Sequence, residues 1–336
     1  MVPDGEAPKR RATRADVARY AGVSPAVVSY TVNAGPRPVA AATRARVQDA
    51  IRVLGYRPNA AARTLKVGST TMLGLIVPDS SNPFFAQFGH ALEDVAAASG
   101  YALLVVNVSN TKDLALGIRR LASRQVDGMF IAVKLGMADL AALGESGTPA
   151  VLLNQSDAVS GLPTIGSDLY EGARQGVRHL IEHGHRTVAF VGESDPSEER
   201  QRGWRDALAA AGLELGPIAA AEFTRESGYA AGQSLLTLEQ RPTAVFVSSD
   251  QQAVGVLRAF HEGGLSLPAD IAIVSLDGSP EAEYSWPALT TVVQPVRDMA
   301  MDALERLVQP NAPTRFVQYA TTLLIRQSCG CGHLQS

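Results

Sequence analysis

Thr13-Arg14-Ala15-Asp16-Val17-Ala18-Arg19-Tyr20-Ala21-Gly22-Val23-Ser24-Pro25-Ala26-Val27-Val28-Ser29-Tyr30-Thr31-Val32-Asn33 is the stretch that decides how the front of this chain folds. An acid three residues after Thr13 reads as a capping box, in which each side chain satisfies an orphan N–H of the first helical turn. Val17, Ala18 and Ala21 follow at helical spacing. Gly22-Val23 breaks the pattern. Ser24-Pro25 restarts it, with Ser as N-cap and Pro at the first helical position, where its missing N–H costs nothing. In the second helix Val28 and Val32 are four apart and face a core, which leaves Ala26, Ser29, Tyr30 and Asn33 on the opposite face. Helix, tight glycine turn, helix is the grammar of the helix-turn-helix, whose second helix can enter a major groove. The competing reading is a helical hairpin with a solvated basic face.

Charge favours the first reading. The 336 residues carry a net −3, but residues 1–66 hold twelve Lys/Arg against four Asp/Glu, a local +8. The rest holds 18 bases and 29 acids, a local −11. A basic head on an acidic body points to a polyanion-binding module fused to something else, and the acidic body helps confine DNA contact to the head. Outward from the quoted stretch, residues 1–12 read as a disordered arm and Asn33–Pro38 as a loop rich in breakers. A third helix spans roughly 41–54, with Val47, Ile51 and Leu54 on one face and Gly55 ending it. Pro58-Asn59 then opens a short Ala-rich helix, 60–65. The two cysteines, Cys329 and Cys331, cannot staple a fold, which excludes a disulfide scaffold. With no apolar h-region after the basic start and no run of membrane-span length, the expected location is the cytoplasm.

From Met72 the grammar changes to alternating strands and helices. Strands are expected at 72–77, 101–106, 128–132, 150–153, 187–191, 244–247 and 271–274. Helices are expected at 84–99, 114–123, 138–145, 170–183, 197–211, 228–238, 251–262 and 296–307. Strands without in–out patterning imply parallel sheets covered on both faces, and the run is long enough for two doubly wound subdomains with a cleft between them. The body has no Walker A pattern, no Gly-x-Gly-x-x-Gly after a strand and no Gly-x-Ser-x-Gly elbow, so no cofactor and no catalysis are expected. His179, His183 and His185 read as surface or cap residues. Cys329-Gly330-Cys331-Gly332-His333 reads as a tail too short to close a metal site, so no metal is expected. Asp250 and Asp277 each follow a strand end, where they suit acid–base chemistry or ligand binding equally.

These residues resemble the lactose-repressor/galactose-repressor (LacI/GalR) family of transcriptional regulators. The likeness starts in Ala15–Ser24, Val28-Ser29 and Asn33. It continues in Thr43–Val47 and in Leu54-Gly55-Tyr56-Arg57-Pro58-Asn59-Ala60-Ala61-Ala62-Arg63-Thr64-Leu65. It implies that Pro25, Ala26 and Tyr30 read bases and that Thr13, Ser24, Ser29, Asn33 and Arg37 contact phosphates or base edges. It also implies that 60–65 is a hinge helix in the minor groove. There Leu65 would wedge a base step, with Tyr56, Asn59 and Ala62 beside it. Val27 and Tyr30 stand where the family often has Thr and Arg, so the familiar operator half-sites do not transfer: tyrosine cannot make the bidentate arginine–guanine contact.

In the body the resemblance runs to about Gly330. Pro78–Phe85 looks like the family's first strand-to-helix loop, which implies Asn82, Phe84, Phe85 and Phe88 at an effector cleft. Arg200-Gln201-Arg202-Gly203-Trp204 resembles its ligand-reading arginine motif. Asn154, Phe223, Ser249, Asp250, Asp277 and Gln294 match further cleft positions. The division implied is an arm (1–12), a helix-turn-helix domain (13–57), a hinge and linker (58–68), an effector and dimerisation domain (69–330) and a tail (331–336). Within the body, the first subdomain takes about 69–165 and 293–313, the second about 166–290 and 314–330. The expected function is a homodimeric repressor on pseudo-palindromic operator DNA, controlled by a sugar or polyol, or next by a nucleobase or nucleoside. A transporter's solute-binding protein would leave 1–66 unexplained, and an enzyme would need a catalytic constellation.

Overall fold

The computed structural model describes residues 12–32, 38–57, 68–108, 111–309 and 313–331. The chain divides into two compact units, residues 1–70 and 71–336.

The first unit holds α1 (Arg14–Ala21), α2 (Pro25–Val32) and α3 (Ala41–Leu54). The capping box forms: Asp16 N donates to Thr13 Oγ1 at 3.3 Å, and Thr13 N donates to Asp16 Oδ2 at 2.9 Å. Gly22 and Gly55 end α1 and α3 at φ 63° and 61°, the left-handed region that glycine enters without strain. Val17, Ala18, Ala21, Val28, Val47 and Ala50 bury together, with Val32, Ile51, Leu54 and Tyr56 at the margin. This small core fixes the angle at which α2 is presented.

The second unit is built on two six-stranded sheets. The first contains β1 (Met72–Val77), β2 (Ala102–Asn107), β3 (Gly128–Ile131), β4 (Ala150–Leu152), β5 (Thr164–Ser167) and β11 (Phe316–Tyr319), in the spatial order β11-β5-β4-β3-β1-β2. The second contains β6 (Val188–Gly192), β7 (Ile218–Ala220), β8 (Ala244–Val247), β9 (Ala272–Asp277), β10 (Thr290–Val293) and β12 (Thr322–Leu324), in the order β12-β10-β9-β8-β6-β7. The pairings are parallel except β10 with β12. Both sheets reverse their strand order at the first strand, β1 or β6, which is where doubly wound sheets open a crevice beyond their carboxyl ends.

Helices cover both faces of each sheet. On the first sheet α4 (Pro83–Ala98) and α12 (Val296–Val308) share a core of Phe84, Phe88, Leu92, Met299 and Leu304, while α5 (Thr111–Ser123) and α6 (Met137–Ser146) cover the other face. On the second, α7 (Leu169–Glu182) and α8 (Glu199–Ala210) cover one face. The other is covered by α9 (Arg225–Leu236), α10 (Asp250–Glu262) and the short α11 (Pro280–Tyr284). Trp204 is fully buried, and its Nε1 donates to Val188 O at 3.0 Å, tying α8 to β6. Among the described residues no helix is long and apolar enough to cross a membrane.

The subdomain boundaries differ from the sequence expectation at two places. β5 carries the first sheet to Ser167, and β11 pairs with β5, so 316–319 belongs to the first sheet rather than the second. The last passage between sheets therefore falls between Tyr319 and Thr322. Strands β5, β7, β10, β11 and β12 escape the apolar-run criterion, most of them because polar groups break a short run, as in Thr164-Ile165-Gly166-Ser167, whereas the equally short β3, β4 and β8 carry no polar side chain. The tail also starts later than expected, since Cys331 packs against the second core.

Gly203 sits where α8 meets α7. A Cβ there would lie 2.3 Å from the Tyr170 carbonyl oxygen and 2.8 Å from Ala173 Cβ. Gly203→Ala is expected to lower the unfolding free energy by about 1–3 kcal/mol, the usual cost of overpacking. Urea denaturation measures it, and an unchanged midpoint would contradict the close helix approach.

Candidate functional site

On the head, Ser24, Pro25 and Ala26 are exposed and Ser29 and Tyr30 are half-buried, so α2 presents a small face without formal charge. Val27 N donates to Ser24 Oγ at 3.4 Å, a weak cap that leaves the hydroxyl proton available. Exposed Arg14, Arg19, Arg44, Arg46 and Arg52 surround that core. An uncharged face ringed by basic residues suits the separation of sequence reading from phosphate neutralisation. Thr13 forms the cap expected of it, its hydroxyl donating to Asp16 Oδ2 at 2.6 Å. Tyr56 packs its ring on the head core. Asn33, Arg37, Asn59, Ala62 and Leu65 lie outside the described residues.

In the body, the expected cleft residues sit at carboxyl ends of strands. Arg200 opens α8 after β6, Phe223 follows β7, Asp277 ends β9, Gln294 follows β10 and Asn154 follows β4. The Arg200 guanidinium lies 5.1 Å from the Phe223 ring centroid, and its Nη1 donates to Glu198 Oε1 at 2.8 Å. Gln294 Nε2 donates to Asp277 Oδ1 at 2.9 Å. Arg200 Nε, Gln294 Oε1, Asn154 Oδ1 and Glu199 Oε2 are buried with no hydrogen-bond partner. Buried polar atoms are nearly always satisfied, so such orphans at strand ends call for a ligand or water. Asp277 adopts φ 126°, a strained backbone of the kind found at binding sites.

The electrostatics divide the two buried aspartates. Asp250 is fully buried and accepts Ser275 Oγ at 2.6 Å, Thr291 Oγ1 at 2.7 Å and Ser279 N at 2.6 Å. Burial raises its pKa while those donors favour its charge. Asp277 has one side-chain donor. Burial first and the Asp250 charge second push it up to about 8, against the pull of Arg200. Burial also pushes Glu199 up to about 7. For Arg200, burial opposes the charge, but Glu198 and Asp277 outweigh it and its pKa is raised. The site therefore offers a fixed cation, a carboxyl mostly protonated at neutral pH, an amide oxygen and an aromatic face.

Five expected contacts have other duties. Asp250 is a structural clamp whose oxygens are already occupied. Ser249 caps α10, accepting Gln252 N at 3.2 Å and donating to Gln252 Oε1 at 2.8 Å. Phe84 and Phe88 are 4% and 2% exposed in the first core, leaving half-buried Phe85 as the aromatic with free surface. Asn82 caps α4, accepting Phe84 N at 3.0 Å. Glu198 and Glu199 were missed because the quoted arginine motif begins one residue after them. The tail that was read as too short to close a metal site has partners on α7: Cys331 comes against His179 and His183. A concavity of about 810 Å³ at the amino ends of the first sheet's strands, lined by Leu73, Tyr101, Leu140 and Arg306, contains none of the cleft residues.

Bacterial regulatory proteins, lacI family, is the description of the family profile that matches residues 13–59; a periplasmic binding protein-like domain profile matches 177–329. Catabolite control protein A of Priestia megaterium is 34% identical over 302 residues, 88% of this chain and 91% of its own length. The chain belongs to the lacI family of bacterial regulatory proteins. The transcriptional repressor PurR of Erwinia tasmaniensis is 34% identical over 334 residues, covering 96% of this chain and 98% of PurR. The lac repressor dimer bound to operator and the anti-inducer ONPF matches with TM-score 0.82 and 28% identity, over 95% of this chain and 99% of that one. The CelR–cellobiose complex matches with TM-score 0.67 and 30% identity, over 95% and 100%. As a lacI-family member, the chain is a DNA-binding transcriptional regulator under effector control and not an enzyme.

Two substitutions separate the aspartates. Asp250→Ala strands the buried Ser279 N–H and is expected to cost at least about 1–3 kcal/mol of stability. Asp277→Asn should fold normally at pH 7. Because the folded pKa of Asp277, about 8, exceeds the ordinary 3.8, its contribution is fully present below pH 3.8 and is lost as pH rises toward 8. Denaturant midpoints between pH 5 and 8 should fall less steeply in Asp277→Asn than in the unaltered protein. Identical slopes would contradict the raised pKa.

Proposed function

We propose that this regulator is a cytoplasmic homodimeric repressor that reads a pseudo-palindromic operator through α2 and releases it when a sugar or polyol occupies the body cleft. The observation that carries the effector class is the buried, unpartnered Nε of Arg200 beside the Phe223 ring and the orphaned Oε1 of Gln294. A hydroxyl both donates and accepts, so one sugar edge can accept from Arg200, donate to Gln294 and pair either way with the protonated Asp277. The apolar face of a pyranose suits an aromatic wall. Sugars are the ligands named for several similar structures: cellobiose in CelR, glucose in a Lactobacillus casei regulator and ribose in one from Enterococcus faecium. A nucleobase or nucleoside is the second reading, favoured by the same Phe223 and Asp277 pair, since a protonated carboxyl can face a ring nitrogen.

For the DNA, one helix-turn-helix reads a half-site, so a dimer and a two-fold operator follow. Leu65 is proposed as the minor-groove wedge, with Asn59 and Ala62 beside it and Asn33 and Arg37 on phosphates or base edges. Effector binding works as a switch only if it favours one arrangement of the two subdomains over the other.

Selection of bound genomic fragments supplies the operator, and a thermal-shift screen of sugars, polyols and nucleobases supplies the effector. Arg200→Ala is expected to abolish the ligand-induced shift and the ligand's effect on operator affinity, while the salt dependence of DNA binding stays unchanged. A variant that still responds would overturn the cleft assignment. Leu65→Ala should weaken operator binding more than binding to random DNA, and equal losses would refute the wedge.

A further inference from the structure

At the edge of the second core, away from the cleft, four sulfur and imidazole side chains meet. His179 lies in the last turn of α7 and His183 caps it, four residues on, so both rings share one helix face. The chain's return strand brings two cysteines to them. Cys331 Sγ lies 3.3 Å from His179 Nε2, 3.1 Å from His183 Nε2 and 3.1 Å from Cys329 Sγ. The ligand atoms of His179, His183 and Cys331 all lie within 4.8 Å of one another. His185, next along, bonds Thr243 Oγ1 at 3.0 Å through its Nδ1.

The framework holding these groups does not depend on the cluster itself. Cys329 is 2% exposed and His179 8% exposed. The segment before the cysteines is anchored by Ser328, whose Oγ donates to Ile273 O at 2.6 Å and accepts Thr290 N at 2.8 Å. Arg326 Nη1 donates to Leu289 O at 2.9 Å. The two sulfurs and two nitrogens are thus delivered to one place by a sheet edge and a helix end. Hydrogen bonding serves this arrangement poorly. A thiol has one weak donor, yet Cys331 Sγ touches two ring nitrogens and a second sulfur at once. With each imidazole protonated at Nδ1, both Nε2 lone pairs face the Cys331 sulfur, an arrangement that a cation relieves.

We propose that His179, His183, Cys329 and Cys331 bind one zinc-class divalent cation, fastening the carboxyl-terminal segment to α7. Thiolate and imidazole donors in a Cys2His2 set are the usual ligands of a closed tetrahedral zinc site, with Zn–S of about 2.3 Å and Zn–N of about 2.0–2.1 Å. Those lengths place tetrahedral ligand atoms roughly 3.3–3.8 Å apart. The three separations from Cys331 Sγ, 3.1–3.3 Å, need only a few tenths of an ångström of opening, while Cys329, which touches the group through Cys331 Sγ, turns its thiol in as the fourth ligand. Each thiol releases its proton to solvent as its bond to the cation forms, so binding weakens as pH falls. The site is structural: it holds no open position for substrate, and none of its residues belongs to the cleft or the head.

The test uses the full chain, reduced and stripped of metal, titrated with Co(II) and then Zn(II). The expected result is uptake of one Co(II) per chain with tetrahedral visible bands and a thiolate-to-cobalt charge-transfer band. Zn(II) should bleach both and raise the thermal midpoint. His183→Ala and Cys331→Ser, both half-exposed positions, should each lose more than the about 10–100-fold in affinity that removal of a mere supporting group costs. Cys329→Ser should weaken the charge-transfer band. Circular dichroism and operator binding of the variants should match the parent, which separates loss of metal from loss of fold and from any failure of the regulator reading. Absence of stoichiometric uptake, uptake unchanged in the variants, or a Cys329–Cys331 disulfide in protein kept under reductant would overturn the proposal.

Discussion

The Asp250 carboxylate holds the body's ligand-facing edge together. It stands at the first turn of α10 and accepts hydrogen bonds from β9 through Ser275, from β10 through Thr291 and from the entry to α11 through Ser279. Those are the strand ends from which Asp277 and Gln294 project. A charge this deeply buried is tolerated because its oxygens are paired. Its neighbour Asp277, with fewer donors and a like charge close by, is left to hold its proton. Pairing one carboxylate and starving the other creates a neutral acid inside the cleft.

A second network positions the aromatic wall. Gln252 Nε2 donates to the carbonyls of Ala221 and Glu222, each at 3.0 Å, and its Oε1 accepts from Ser248 and Ser249, each at 2.8 Å. The loop carrying Phe223 is thereby tied to the start of α10. Ser249 acts on the site through Gln252. The second subdomain presents its groups from a pre-set frame, which lowers the ordering cost of binding. If Asn154 and Phe85 of the first subdomain also touch the effector, as proposed, a ligand gripping both sides is sensitive to how the two sheets are arranged.

Much of this was legible in the sequence. The helix-turn-helix followed from the cap at Thr13, the break at Gly22 and the restart at Ser24-Pro25. The eight body helices expected from the 3.6-residue period all form, because each has one broad apolar face. Of the short strands, β3, β4 and β8 were legible because they carry no polar side chain, while β5, β10, β11 and β12 were not, since polar residues break so short a run. In the candidate site, Asp277 was singled out by its place after a strand, and Arg200 and Gln294 by the family resemblance; the structure sets Arg200 beside Phe223 and Gln294 against Asp277. Asp250, Ser249, Asn82 and Phe84 were read for ligand contact because a cap, a clamp and a core aromatic use the same residue types at the same strand ends. The His179–Cys331 cluster was invisible to spacing, as its halves are some 150 residues apart in the chain and are joined only when the last strand returns to the second sheet.

The central claim is that the effector is read where Arg200, Phe223, Asp277 and Gln294 converge. The most direct measurement is a crystal structure of the protein with the compound that shifts its thermal midpoint most. The expected result is ligand oxygens within hydrogen-bond distance of Arg200 Nε and Gln294 Oε1, with a ring face against Phe223. A ligand seated instead among Leu73, Tyr101 and Arg306 at the opposite end of the first sheet, with Arg200 and Gln294 untouched, would contradict it.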